Sequence, residues 1–104
     1  MRVPMMALAA TLILAGEAAA QAEHTVVMSN MSYGKIPAGL KVGDTITWTN
    51  RDTVPHTVTA RDHSFDLRVA PGRSAKMTLA KSGAFPFFCT YHTMMRGTLT
   101  IAPK

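Results

Sequence analysis

Within seven positions, Cys89-Thr90-Tyr91-His92-Thr93-Met94-Met95 offers a thiol, an imidazole and two thioethers. Such soft ligands suit copper, and a type 1 copper site takes two imidazoles and one thiolate in a near-trigonal plane with a long, weak axial thioether. Cys89 is the only cysteine in the chain, so it closes no internal disulfide, and a metal or nucleophilic role gains weight. The spacing Cys89-x-x-His92-x-x-Met95 lets three side chains of one tight loop converge on a point. A second imidazole has to come from elsewhere, because a short loop cannot surround an ion alone. His56 is the best candidate: it follows Pro55, which fixes the local backbone, and it opens the alternating run HTVTA, which can lie beside the strand that ends at Cys89. His24 and His63 compete on residue type. His63 sits in RDHSFD, a pattern of solvated turns, and His24, close to the start of a mature chain, could join a free amine in a separate, weak Cu(II) site. Met94 and Met95 compete for the axial place; neighbours point apart, so only one serves, and spacing does not choose between them.

Other chemistries fit less well. A cysteine nucleophile paired with His92 would need an oxyanion hole and a third orienting group, and no segment offers them in an evident place. Zinc seldom takes methionine. Copper trafficking is the alternative within the same metal. Met28-x-x-Met31 and Met94-Met95 belong to five methionines beyond residue 22, and thioethers pass Cu(I) between carriers. Strand packing explains Met28 more simply, and a thiolate with two imidazoles holds copper rather than handing it on.

The elements that must position these groups are strands. His24–Met31, Thr45–Asn50, His56–Ala60, Ser64–Val69, Ser74–Leu79, Ala84–Cys89 and Gly97–Ile101 are short apolar or β-branched runs, with Pro71-Gly72 and Ser82-Gly83 as turns between them. In TITWTN the alternation puts Ile46 and Trp48 on one face. Seven or eight short strands without helical periodicity predict an all-β, antiparallel Greek-key sandwich. Residues 1–20 carry Arg2, the apolar run Ala7–Ala15 and small residues at Ala18, Ala19 and Ala20, the pattern of a secretory signal peptide, with cleavage expected before Gln21 or as late as residue 22. Residues 21–104 then form one domain without membrane insertion, expected to be a periplasmic monomer. Cleavage removes Arg2 and Glu17 and leaves ten basic and five acidic residues, so the net charge of +5 persists. The basic residues are scattered and export removes nucleic acid from reach, so the charge points to an acidic protein partner.

Two segments carry a family pattern: KVGDTITWTNRDTVPHTV over 41–58, and Ser82–Ile101 with FCTYHTMMRGTLTI inside it. On these the chain resembles the cupredoxins, and within them the amicyanin and pseudoazurin group. The resemblance implies a single-electron carrier with one type 1 copper ion, not an enzyme, held by His56, Cys89, His92 and Met95, and working between redox partners such as a dehydrogenase or a c-type cytochrome. It favours Met95 over Met94. It also implies that Asn50 ties the two ligand segments together near Thr90, and that the His92 ring edge lies inside an apolar collar with Met31, Val54, Pro55, Tyr91 and Met94 as candidates and Arg51 and Arg96 as orienting charges. Amicyanins have prolines beside the loop histidine, whereas Tyr91 and Thr93 stand there in this chain. Tyr91 has a backbone N–H. Aimed at the Cys89 sulfur, it would raise the reduction potential.

Overall fold

Alternation at period two dominates the chain, and it resolves into strands with one apolar face each. The computed structural model describes residues 21–104; the expected signal peptide lies outside them. Among the described residues there are nine strands and no helix: β1 Glu23–Ser29, β2 Ser32–Tyr33, β3 Leu40–Lys41, β4 Thr45–Asn50, β5 His56–Ala60, β6 Asp66–Val69, β7 Ser74–Thr78, β8 Gly83–Phe88 and β9 Arg96–Ala102. None of the described residues therefore forms a helix long and apolar enough to cross a membrane.

The strands form a four-stranded sheet, β2-β1-β4-β7, and a five-stranded sheet, β3-β9-β8-β5-β6. Their inner faces supply the core: Val26, Met28, Ile46 and Trp48 from one, Val58, Val69, Phe85, Phe87, Leu99 and Ile101 from the other. The all-β sandwich expected from the sequence is the fold found. Its pairing is mixed, however, because β1 runs parallel to β4 and β3 parallel to β9, while the remaining pairs are antiparallel. The β1–β4 pair is parallel because the chain leaves the first sheet after β2 and returns to it after β3, so that β1 and β4 are joined by a crossover and not by a hairpin.

The expected first strand, His24–Met31, is cut short. β1 ends at Ser29, and Asn30 and Met31 take positive φ values of 55° and 58° in a two-residue turn into β2. Left-handed backbone is uncommon for methionine. Here both turn amides donate to one carboxylate, that of Asp52, at 2.8 and 2.9 Å, which holds the conformation in place.

Aromatic rings fill the centre. Phe87 meets Tyr33 and Trp48 edge-on at centroid distances of 4.9 and 5.5 Å. Directly across the ladder from Phe87 lies Gly97, and a Cβ there would sit 2.8 Å from the Phe87 ring. The glycine is therefore part of the core packing. Phe87 stands two residues before Cys89 on the same strand path, so this cluster also fixes where the thiol points.

Candidate metal centre

Cys89 follows directly on β8, and β9 begins at Arg96. The loop between them is closed by its own backbone: the Cys89 N–H donates to the Met95 carbonyl at 3.0 Å, and the Met95 N–H to the His92 carbonyl at 2.8 Å. His56 opens β5, which pairs with β8 further along. The sulfur and the second imidazole thus meet because their strands are neighbours in one sheet.

Cys89 Sγ lies 3.9 Å from His56 Nδ1 and 3.8 Å from His92 Nδ1, and the three donor atoms all fall within 4.8 Å of one another. An ion bonded at about 2.0 Å to nitrogen and about 2.3 Å to sulfur in a trigonal plane would hold N and S about 3.7 Å apart. Both sulfur–nitrogen edges are close to that size, so the residues fit a copper ion of the N,N,S type. His56 and Cys89 are fully buried, whereas His92 is half-buried. Met95 is buried in the same apolar cluster as Cys89, and Met94 is 88 % exposed. Of the other histidines, His63 is exposed in the turn between β5 and β6, and His24 donates to or accepts from Asp44 at 3.2 Å at the opposite end of the sandwich.

Each buried corner has a partner. His56 Nε2 lies 2.7 Å from an Asp52 carboxylate oxygen, so the ring nitrogen facing away from the sulfur is engaged. Its bond to the His56 ring, followed by the Met31 and Asn30 amides, holds the Asp52 carboxyl below the usual carboxylate range. The Thr57 N–H donates to Cys89 Sγ at 3.3 Å. The Thr57 carbonyl in turn accepts from the Tyr33 hydroxyl at 2.5 Å. Burial, and secondarily the negative charge of Cys89, push the Tyr33 phenol well above its ordinary value.

Two expectations about supporting groups change. Asn50 does not reach Thr90; its amide donates to the carbonyls of Val54 at 2.8 Å, Val69 at 3.1 Å and Ala70 at 3.4 Å, because the ends of β4 and β6 and the loop before His56 all converge on it. The tie between the two ligand segments is Thr57, whose hydroxyl accepts from the Thr90 N–H at 2.9 Å. Likewise, the amide on the sulfur is that of Thr57 and not that of Tyr91, since Thr57 follows His56 and lies against Cys89 across the sheet. Asp52, Thr57 and Tyr33 were the functional residues not found in the sequence. A carboxylate four residues before a candidate ligand histidine, in NRDTVPH, was the one available signal. Of the collar candidates, Met31 and Tyr91 are about half exposed and Met94 more so, while Val54 and Pro55 are partly covered.

The profile of the cupredoxin-like domain matches residues 3–101, nearly the whole chain. The chain belongs to the cupredoxins. Among this cupredoxin's relatives, amicyanin from Paracoccus denitrificans is 30% identical over 82 residues, which is 73% of this chain and 63% of that protein. Amicyanin from Paracoccus versutus is 26% identical over 82 residues, 73% of this chain and 62% of the other. The match thus spans less than two thirds of either relative. Among solved structures, the Cu(I) form of a methionine-to-alanine variant of amicyanin superposes with a TM-score of 0.65 at 28% identity, over 79% of this chain and 84% of that one. The oxidized state of a proline-to-alanine variant gives 0.64 at 28% identity, over 76% and 81%. Cupredoxins bind copper, and His56, Cys89 and His92 are the cluster among the described residues able to hold it.

Proposed function

We propose that this cupredoxin carries single electrons in the periplasm between protein redox partners, such as a dehydrogenase and a c-type cytochrome, through one type 1 copper ion that His56 Nδ1, Cys89 Sγ, His92 Nδ1 and the Met95 thioether would hold. The observation that carries this reading is the donor triangle itself, with both sulfur–nitrogen edges close to bonding size, two corners buried and one half-buried. Burial of Met95 beside Cys89, with Met94 turned to solvent, supports Met95 over Met94 as the thioether that would reach the metal. Amicyanin, solved in Cu(I) and oxidized states, supports redox cycling here. Copper bound at this site supplies one-electron chemistry between Cu(I) and Cu(II).

The chain's own part is to keep the donors still. Asp52 fixes the His56 ring and its proton at Nε2, which leaves Nδ1 free as a donor. The Thr57 N–H withdraws density from the sulfur and favours the reduced state. The Thr57–Thr90 bond and the two backbone bonds of the ligand loop prevent the donor atoms from separating. Little rearrangement between oxidation states means a low barrier. His92, the half-exposed corner, is the port through which a docked partner exchanges the electron.

Adding one equivalent of Cu(II) to the purified protein tests this. An intense blue thiolate-to-copper charge-transfer band that bleaches on reduction is expected. A pale solution that exchanges Cu(I) readily would overturn the electron carrier in favour of a copper-trafficking protein.

A further inference from the structure

Tyr91 stands in the ligand loop next to His92, and its phenol oxygen accepts a hydrogen bond from Arg68 Nε at 3.1 Å. Arg68 belongs to β6, the outer strand of the five-stranded sheet, where it lies across from Thr57. The bond therefore links the rim of the sheet to the loop that carries His92. We propose that Arg68 and Tyr91 form a carboxylate-recognition point on the face that exposes His92, and that the redox partner of this cupredoxin places an acidic side chain there. This rests on the electron-carrier reading above.

Three observations support it. First, the phenol engages Nε, which orients the guanidinium and, among the described residues, leaves both terminal nitrogens over, the fork that takes a carboxylate in a bidentate pair. Second, among the described residues no carboxylate lies within 4.0 Å of an arginine or lysine; the ion pairs present are His24–Asp44 and His56–Asp52. Asp66, on the same strand as Arg68, instead accepts from the Thr59 hydroxyl. Third, the exposed large apolar residues are Met31, Tyr91 and Met94, and Tyr91 itself adjoins His92 at a ring-centroid distance of 6.5 Å. Tyr91 is thus both apolar contact and holder of the charge. A net charge of +5 draws an acidic surface in, and the oriented fork beside the port selects how that surface lands.

The test uses the copper(I)-loaded protein and two probes of opposite charge. Hexacyanoferrate(III) takes one electron and becomes hexacyanoferrate(II); tris(phenanthroline)cobalt(III) takes one and becomes the cobalt(II) complex; in each case the centre goes from Cu(I) to Cu(II). Stopped-flow rates at low ionic strength are compared for wild type, Arg68→Ala, Tyr91→Phe and the control Lys81→Ala. Lys81 lies in the turn before β8, at the end of that strand away from Cys89, and removes the same single charge. Arg68→Ala is expected to slow the anionic oxidant about three- to tenfold and to flatten its salt dependence, with Tyr91→Phe in between and Lys81→Ala changed less than about twofold. The cationic oxidant should be no slower. A hexaglutamate peptide, titrated against the wild type by NMR, should shift the Arg68 and Tyr91 signals, and Arg68→Ala should abolish the Tyr91 shift. Equal losses in Arg68→Ala and Lys81→Ala would overturn the proposal, leaving only net charge. Equal slowing with both oxidants would overturn it in favour of a merely structural clamp, and so would peptide shifts that survive Arg68→Ala. Absence of the blue band in the wild type would instead overturn the electron-carrier reading, and this inference with it.

Discussion

Asp52→Ala removes three hydrogen bonds from one carboxylate, and the three are unequal. The Asn30 and Met31 amides belong to an exposed turn and can bind water instead, so each loss costs about 0.5–1 kcal/mol. The His56 ring is fully buried, and the loss of a charged partner at 2.7 Å costs about 1.5–3 kcal/mol. Asp52 is 16% exposed, which screens the charge in part, so the apo protein should lose about 2–4 kcal/mol in urea unfolding. That is a large share of the ~5–15 kcal/mol holding an ordinary domain. Copper affinity, measured by competition with a chelator, should fall about 10- to 100-fold. Asp52→Asn separates the two roles. Without metal the imidazole can move its proton to Nδ1 and accept from the asparagine amide through Nε2, so apo stability falls less. Copper at Nδ1 requires the proton on Nε2, so the asparagine must turn its carbonyl oxygen to that proton and its NH2 to the Asn30 amide; a neutral acceptor is weaker than a carboxylate, so part of the affinity loss, about 3- to 10-fold, should remain. If Asp52→Asn binds copper within about twofold of wild type while Asp52→Ala does not, any acceptor at that place suffices and the reasoning from the carboxylate's charge is wrong.

Thr57→Val should cost about 1–2 kcal/mol, because the Thr90 N–H loses its acceptor, yet leave the blue band in place, because the Thr57 N–H still reaches the sulfur; a shifted or lost band would contradict this division. Gly97→Ala should cost about 1–3 kcal/mol through overpacking against the Phe87 ring, read as a lower thermal midpoint, and an unchanged midpoint would mean the ring can give way. Asp44 has its carboxyl pKa lowered, first by the Ala22 amide and then also by His24 and the Lys41 amide. Its contribution is complete above the unfolded carboxyl pKa of about 3.9 and drains as pH falls through the lower folded value, so the urea midpoint should drop in acid, and drop less in Asp44→Asn.

How far the sequence could be read depends on whether a residue's role is local. Pairs set by period two were legible: Ile46 and Trp48 do share the inner face, and TITWTN is a strand over its expected bounds. His56, Cys89 and His92 could be gathered because a metal demands particular atoms, whatever path the chain takes. Asp52 was legible only in part: its bond to His56, four residues on, is local, but it meets Asn30 and Met31 across a gap of more than 20 residues, and the turn they form reads as the tail of a strand. The choice between Asn50 and Thr57 as the tie failed for a similar reason. Either side chain can bond a backbone amide, and only the position of β5 against the loop after β8 decides which one is near Thr90.

That placement also explains why so small a domain can hold its donors firmly. Cys89 is counted in the apolar core as well as in the metal site, and the bond from the Thr57 N–H joins β5 to it where the two strands lie side by side. Loosening the Phe87 cluster would therefore move the sulfur, and moving His56 would strain the β1–β2 turn through Asp52. Tyr91, His92, Thr93 and Met94 stand outside this shared framework, on a loop closed by its own backbone and pinned from β6 by Arg68. Substitutions at Tyr91 or Met94 can therefore change the exposed surface beside His92 with little effect on the core, because neither side chain is packed into it.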